Sequence, residues 1–256
     1  MRHAMFRALL AGLPVLVWLT LATSAVTAQS APAMLPPATA CATMRTLRLP
    51  DVRITEVIDV RDSTQERDAL RQRDNVRGPH CRVTGVAGKG ILFVVVMPDQ
   101  WNQRLYMGGN GGFAGTIARS AFANANQGYV AVSTNTGHDD PSGGARWALN
   151  DVERQLDYAY VGVHRTVEVA KVLAKAYYGV EPKFSYFNGC SNGGRQALME
   201  AQRYPDDFDG IVAGAPSARM FRIMASFLKN AQATFPNRES FDRPAVTQAN
   251  LDRPGC

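Results

Sequence analysis

The sequence predicts an α/β fold whose sheet is mostly parallel. Three features point to it. Short apolar runs end repeatedly in Gly, Asn or Ser, as strands of a largely buried sheet do. Helical patterns stand between those runs, in the order strand, helix, strand. A serine occupies a glycine-rich turn, in "YFNGCSNGGRQALMEAQRYP", between one such run and one such helix.

The 256-residue chain opens on a segment read apart from the fold. "MRHAMFR" carries Arg2 and Arg7, an apolar run spans Ala8 to Val26, and Val26-Thr27-Ala28 precedes Gln29. This pattern predicts a signal peptide over 1–28, cut after Ala28, and so a secreted or periplasmic protein. A retained membrane anchor is the alternative. Pro14 within the run and the small-residue site after it argue against that. Cleavage leaves 228 residues, enough for one large domain, and lowers the formal charge from +6 to +4. Basic residues are scattered, and "ERDALRQRDNVR" reads as a solvated face of mixed sign, so no nucleic-acid partner is expected. The four cysteines are Cys41, Cys81, Cys190 and Cys256. Export permits disulfides among them, with three connectivities open, and no spacing suggests zinc.

Residues 29–40, containing "SAPAMLPPATA", are Pro/Ala-rich and predict an extended or disordered linker. A β-rich stretch follows. "GILFVVVMP" is an apolar, β-branched run bounded by Gly90 and Pro98, which predicts a buried strand. "RLYMGG", "YVAVSTN", "FSYFNG" and "GIVAGA" predict four more. Leu156, Tyr160, Val163, Val167, Ala170, Ala174 and Tyr177 recur at helical spacing, and Gly179 and Pro182 stop the pattern. "GGRQALMEAQRYP" is a second helix, closed by Pro205. From Met220 onward "FRIMASFLKNAQATF" is helix-like, and "PNRESFDRPAVTQANLDRPGC" is polar and proline-broken. There is no internal repeat.

Gly189-Cys190-Ser191-Asn192-Gly193 fits G-x-S-x-G, with a strand before it and a helix after it. That context reads as a nucleophile elbow, a sharp turn that lifts the serine hydroxyl clear of the sheet over a helix N-terminus. An ordinary glycine-rich strand-to-helix turn is the bland alternative. "MGGNGGFAG", from Met107 to Gly115, follows an earlier strand. Such loops supply one amide of an oxyanion hole, and the residue after the nucleophile, here Asn192, supplies the other. The rival reading is a phosphate loop, but the spacing does not match G-x-G-x-x-G and no acidic residue ends the next strand.

"YFNGCSNGGRQALMEAQRYPDDFDGIVAGAP", "WNQRLYMGGNGGFAG" and "GYVAVSTNTGHDD" resemble the tannase and feruloyl esterase family, over a stretch from about Cys41 to Pro216. The resemblance implies the N-terminal portion of an α/β-hydrolase fold over 41–219. Residues 220–256 would begin a lid or form a truncated tail. It also implies Ser191 as nucleophile, Asn192 with Gly111 or Gly112 as oxyanion donors, a disulfide between Cys41 and Cys81, and Cys190 as a cysteine that tethers the catalytic histidine. The family's lid carries a calcium site, and this chain lacks the corresponding Asp/Gly-rich loop, so no cofactor is expected.

One departure bears on mechanism. Triad order on this fold is Ser, then Asp or Glu, then His. The histidines here are His3, His80, His138 and His164, all before Ser191. His138, in "NTGHDD", is the one candidate for an improvised base; the preferred reading is a loop histidine ordering its turn through Asp139 or Asp140. His80 sits beside Cys81 but far upstream. His164 falls in the long helix, at the surface or satisfied in the core. The expected function is a carboxylic ester hydrolase acting through a Ser191 acyl-enzyme on small aromatic esters, impaired for want of a base. The alternatives are a non-catalytic secreted binder, a truncated pseudoenzyme, or a chain completed by a second one bearing Asp and His. An exposed sheet edge would favour self-association.

Overall fold

The computed structural model describes residues 33–61, 64–140, 144–235 and 237. The expected signal peptide, most of the polar tail and Cys256 lie outside the described residues. Seven strands form one sheet: β1 (Val52–Asp59), β2 (His80–Ala87), β3 (Ile91–Pro98), β4 (Arg104–Gly108), β5 (Val130–Thr134), β6 (Phe184–Cys190) and β7 (Gly210–Gly214). Their order is β1-β2-β3-β5-β4-β6-β7. Pairing is antiparallel from β1 through β3 to β5, and parallel from β5 through β4 and β6 to β7. All five apolar runs named from the sequence are strands. Four of them make the parallel half, which carries the serine turn.

The helices are α1 (Gln65–Asp74), α2 (Val152–Leu156), α3 (Gly162–Tyr178), α4 (Asn192–Arg203) and α5 (Met220–Thr234). Residues on alternate sides of β3 and β5 enter two separate apolar clusters. Phe93, Val95 and Val132 pack with Val163, Val167, Ala170 and Leu173 of α3. Val94, Val96 and Ala131 pack with Phe122 and Ala125 of the 3-10 segment Arg119–Gln127. A strand buried on both faces needs apolar residues at every position, which is why β3 reads as a continuous run. The Cys41–Cys81 disulfide joins the 3-10 turn Cys41–Thr46 to β2, with 5.4 Å between the α carbons. The described part of the Pro/Ala-rich segment is extended and pinned, since Leu35 exchanges backbone hydrogen bonds with Trp101 at 2.7 and 3.0 Å.

Two sequence expectations need correction. "ERDALRQRDNVR" is helix α1 and its end, but it is not simply a solvated face. Asp74 is 1 % exposed and accepts from Arg82 Nε at 3.1 Å, Arg119 Nη1 at 2.6 Å and Arg73 Nε at 3.4 Å. Three guanidiniums compensate the desolvated carboxylate, and one of them, Arg119, comes from 45 residues away. The long helical face is also broken. α2 and α3 are joined by a π turn, Asp157–Val161, whose extra residue rotates the helix surface. Leu156 is therefore exposed, while Asp157 is turned inward and buried. From Val163 onward the expected face does line the core.

β7 ends the sheet, and its Val212 is 59 % exposed. On β6, Phe184, Asn188 and Cys190 are exposed on the face opposite buried Phe187. No residue of α5 is buried, and its Phe221, Phe227 and Leu228 are exposed. No described helix is long and apolar enough to cross a membrane.

Candidate active site

Strand β6 runs straight into α4, and Ser191 is the single residue between them. Its backbone has φ 60° and ψ −116°, a region that a residue with a Cβ adopts only when its surroundings force it. Those surroundings are visible. The Ser191 amide donates to Gly214 O at 3.0 Å, at the end of β7, and its carbonyl accepts from Ser217 N and Arg195 N, each at 3.1 Å. The side chain lies at the surface.

The glycine-rich loop after β4 lies against this turn. A Cβ added at Gly109 would meet Gly193 Cα at 2.8 Å and Gly189 Cα at 3.1 Å, so the backbones touch. Gly109 N donates to Asn188 O at 2.9 Å. Asn110 N donates to Gln196 Oε1 of α4 at 2.9 Å, and Gln196 Nε2 returns a bond to Asn110 Oδ1 at 3.2 Å. Asn110 Nδ2 then reaches Thr116 O and Thr134 O at 2.9 and 2.8 Å. This braced base carries Gly111 and Gly112 outward to the surface. Among the described residues, no acceptor meets the amides of Gly111, Gly112 or Asn192. For Asn192 the reason is general, since the first amides of a helix have no intrahelical partner.

His138 closes the loop from the other side. Its Nε2–H donates to Phe113 O at 2.5 Å, and its Nδ1 accepts from Asp140 N at 3.3 Å, which fixes the tautomer. Its ring is buried and stacks on Trp147 at 3.8 Å. Burial lowers its proton affinity, so it stays neutral. With both nitrogens engaged, His138 orders the loop, partly through Asp140 as anticipated, and is not free to act as a base. His80 is buried, with Nδ1 donating to Gly78 O at 2.9 Å. His164 bonds Asp207 Oδ2 at 2.6 Å and stacks on Tyr204 at 3.7 Å.

Ser191, Asn192 and the Gly111–Gly112 loop are thus carried on elements that touch. Cys190 is a free, exposed thiol beside Ser191. Among the described residues no group of three or more His, Cys, Asp or Glu side chains is arranged to hold a metal ion. Sequence reasoning missed the supporting side chains Asn110, Gln196, Tyr158 and Arg195. Gln196 and Arg195 were visible as polar residues in the first turn of α4, but their partners lie 86 and 37 residues away. Burial raises the Tyr158 phenol above its ordinary range, so it remains a donor.

Comparison with known proteins identifies the family. The sequence profile of the tannase and feruloyl esterase family matches residues 75–249. An uncharacterized esterase of Xanthomonas campestris is 36 % identical over 202 residues, covering 77 % of this chain and 35 % of that protein. Feruloyl esterase B of Aspergillus niger is 38 % identical over 179 residues, covering 67 % of this chain and 33 % of that one. The crystal structure of an esterase from Aspergillus oryzae superposes with a TM-score of 0.67 at 29 % identity, over 76 % of this chain and 40 % of that chain. The chain spans about a third of the length of the curated relatives it matches. The matched profile covers most of the chain, and the serine turn and glycine loop fall within it: this chain belongs to the tannase and feruloyl esterase family.

Proposed function

We propose that this chain carries the nucleophile and oxyanion donors of a secreted serine carboxylic ester hydrolase acting on esters of aromatic acids. The observation that carries the reading is the strained, exposed Ser191 beside the unengaged amides of Asn192, Gly111 and Gly112. The names of the relatives, feruloyl esterases among them, support the substrate class. In the reaction, Ser191 Oγ bonds to the ester carbonyl carbon and loses its proton. The carbonyl oxygen becomes an anion held by the amides of Asn192 and of Gly111 or Gly112. Collapse expels the alcohol, which takes up a proton, and leaves an acyl-Ser191. Water then cleaves the acyl group as the carboxylic acid. Two preset amides stabilise the anion by a few kcal/mol each in the barrier.

Among the described residues the three histidines, His80, His138 and His164, are each engaged with other groups. With no other base supplied, the Ser191 proton passes to solvent. Loss of a triad member lowers rate by about ten-thousandfold, with oxyanion and binding effects surviving. Acylation by an activated ester needs least help from a base. Mixing the chain with p-nitrophenyl acetate should release p-nitrophenolate stoichiometrically and add one acetyl group to the peptide bearing Ser191. Ser191→Ala should remove both signals. An unmodified Ser191, or an equal burst from the variant, would leave a non-catalytic binder as the better account.

A further inference from the structure

Tyr158 stands where the two halves of this site meet. It lies in the π turn Asp157–Val161. A π turn bonds to the fifth residue along and disturbs the regular ladder, so carbonyls within it are open to outside donors. Two of them are used. Arg195 Nη2 donates to Tyr158 O at 2.9 Å, and Arg195 Nη1 donates to Ala159 O at 2.8 Å. The same guanidinium donates through Nε to Asn192 Oδ1 at 2.8 Å and lies 4.5 Å from the centre of the Tyr158 ring. The Tyr158 hydroxyl donates to that same Asn192 Oδ1 at 2.9 Å. Asn192, only 1 % exposed, is thereby held by two donors, and its backbone amide opens α4 beside Ser191.

The Tyr158 ring also reaches the glycine loop. Its centre is 5.3 Å from Trp147, 6.4 Å from His138 and 6.1 Å from Phe113. Phe113 directly follows Gly111 and Gly112, and His138 holds its carbonyl. One side chain is therefore bonded to the residue bearing one oxyanion amide and packed on the aromatic group that fixes the other.

We propose that Tyr158, clamped by Arg195, is a positioning residue that sets the spacing between the Asn192 amide and those of Gly111 and Gly112. This rests on the serine-esterase reading. Two donors stabilise one oxygen only if both stay within hydrogen-bond reach of it, so a loose spacer weakens the hole without touching the substrate.

The test is single-turnover acylation of Ser191 by p-nitrophenyl acetate and by its thiono analogue, in which sulfur replaces the carbonyl oxygen. Sulfur is the larger and weaker acceptor, so a tight hole favours the oxygen ester. Tyr158→Phe keeps the ring and removes the hydroxyl. Its acylation rate constant should fall about fivefold, the effect of one lost hydrogen bond, with half-saturation unchanged. The preference for oxygen over sulfur should fall with it. Both effects should vanish in an Asn192→Leu background, because the hydroxyl acts through Asn192 Oδ1. A merely structural role would lower the melting temperature and leave the oxygen preference intact. Tyr158→Phe with an unchanged rate and preference overturns the positioning role, while absence of any Ser191 adduct in the unaltered chain refutes the esterase reading beneath it.

Discussion

Glu200 offers the sharpest test of the packing around α4. It is 0 % exposed, no donor reaches either carboxyl oxygen, and the carboxylate of Asp207 is its neighbour. Burial first, and the Asp207 charge second, push its carboxyl from the ordinary 4.5 up to about 9, with Arg195 pulling weakly the other way. A carboxyl so placed keeps its proton at pH 7, beside Asp207, whose Oδ2 bonds His164 Nδ1 at 2.6 Å. The unfolded chain ionises Glu200 above its ordinary value, whereas the folded chain keeps the proton until about pH 9. Between those limits the folded state binds one proton more, so stability falls as pH rises, by about 1.4 kcal/mol per pH unit from this group. Glu200→Gln keeps the shape and removes the titration. Urea unfolding followed by tryptophan fluorescence at pH 6, 7 and 8 measures both proteins. The variant should gain about 2.5 kcal/mol on the parent over that span. Parallel stability profiles would refute a protonated Glu200 and the physical account of this cluster.

Three further outcomes follow from particular contacts. Gly109→Ala drives a methyl against the backbone of Gly189 and Gly193, so it should cost about 1–3 kcal/mol by urea unfolding and slow Ser191 acylation; an unchanged acylation rate would show that the loop does not need this approach. Reducing the Cys41–Cys81 bond, which closes a separation of 40 residues, should cost up to about 4 kcal/mol in the unfolding midpoint assay, while Cys41→Ala should make the protein insensitive to reductant. Light scattering should show masses above the monomer that depend on concentration, and Val212→Lys on the edge strand should lower them; a compact monomer at all concentrations would count against association through that edge.

The parallel half of the sheet was legible because its strands are short apolar runs with glycine at their ends. Ser191 was legible for the same local reason, since strand, turn and helix adjoin in sequence. The rest depended on partners far along the chain. Asp74 looked like one charge among many on α1, and only the fold brings Arg82 and Arg119 to it. The π turn was hidden because helical spacing on either side of it is sound, and one inserted residue changes only which face Leu156 and Asp157 present. His138 could be placed near the right edge by its strand, but its role came from Phe113 O, 25 residues earlier. Cys41 and Cys81 could be paired only through family likeness, because four cysteines admit three pairings.

The π turn also has an evolutionary consequence. The helix from Val152 to Tyr178 is one residue away from regularity, and deletion of one residue within the π turn would move Leu156 toward the buried place that Asp157 now holds. Drift toward robustness alone favours that shortening. It would also strand Arg195 without its carbonyl acceptors and let Asn192 wander. Selection of this scaffold for heat tolerance, with no screen for acylation, should therefore collect shortened helices that are sturdier and chemically idle.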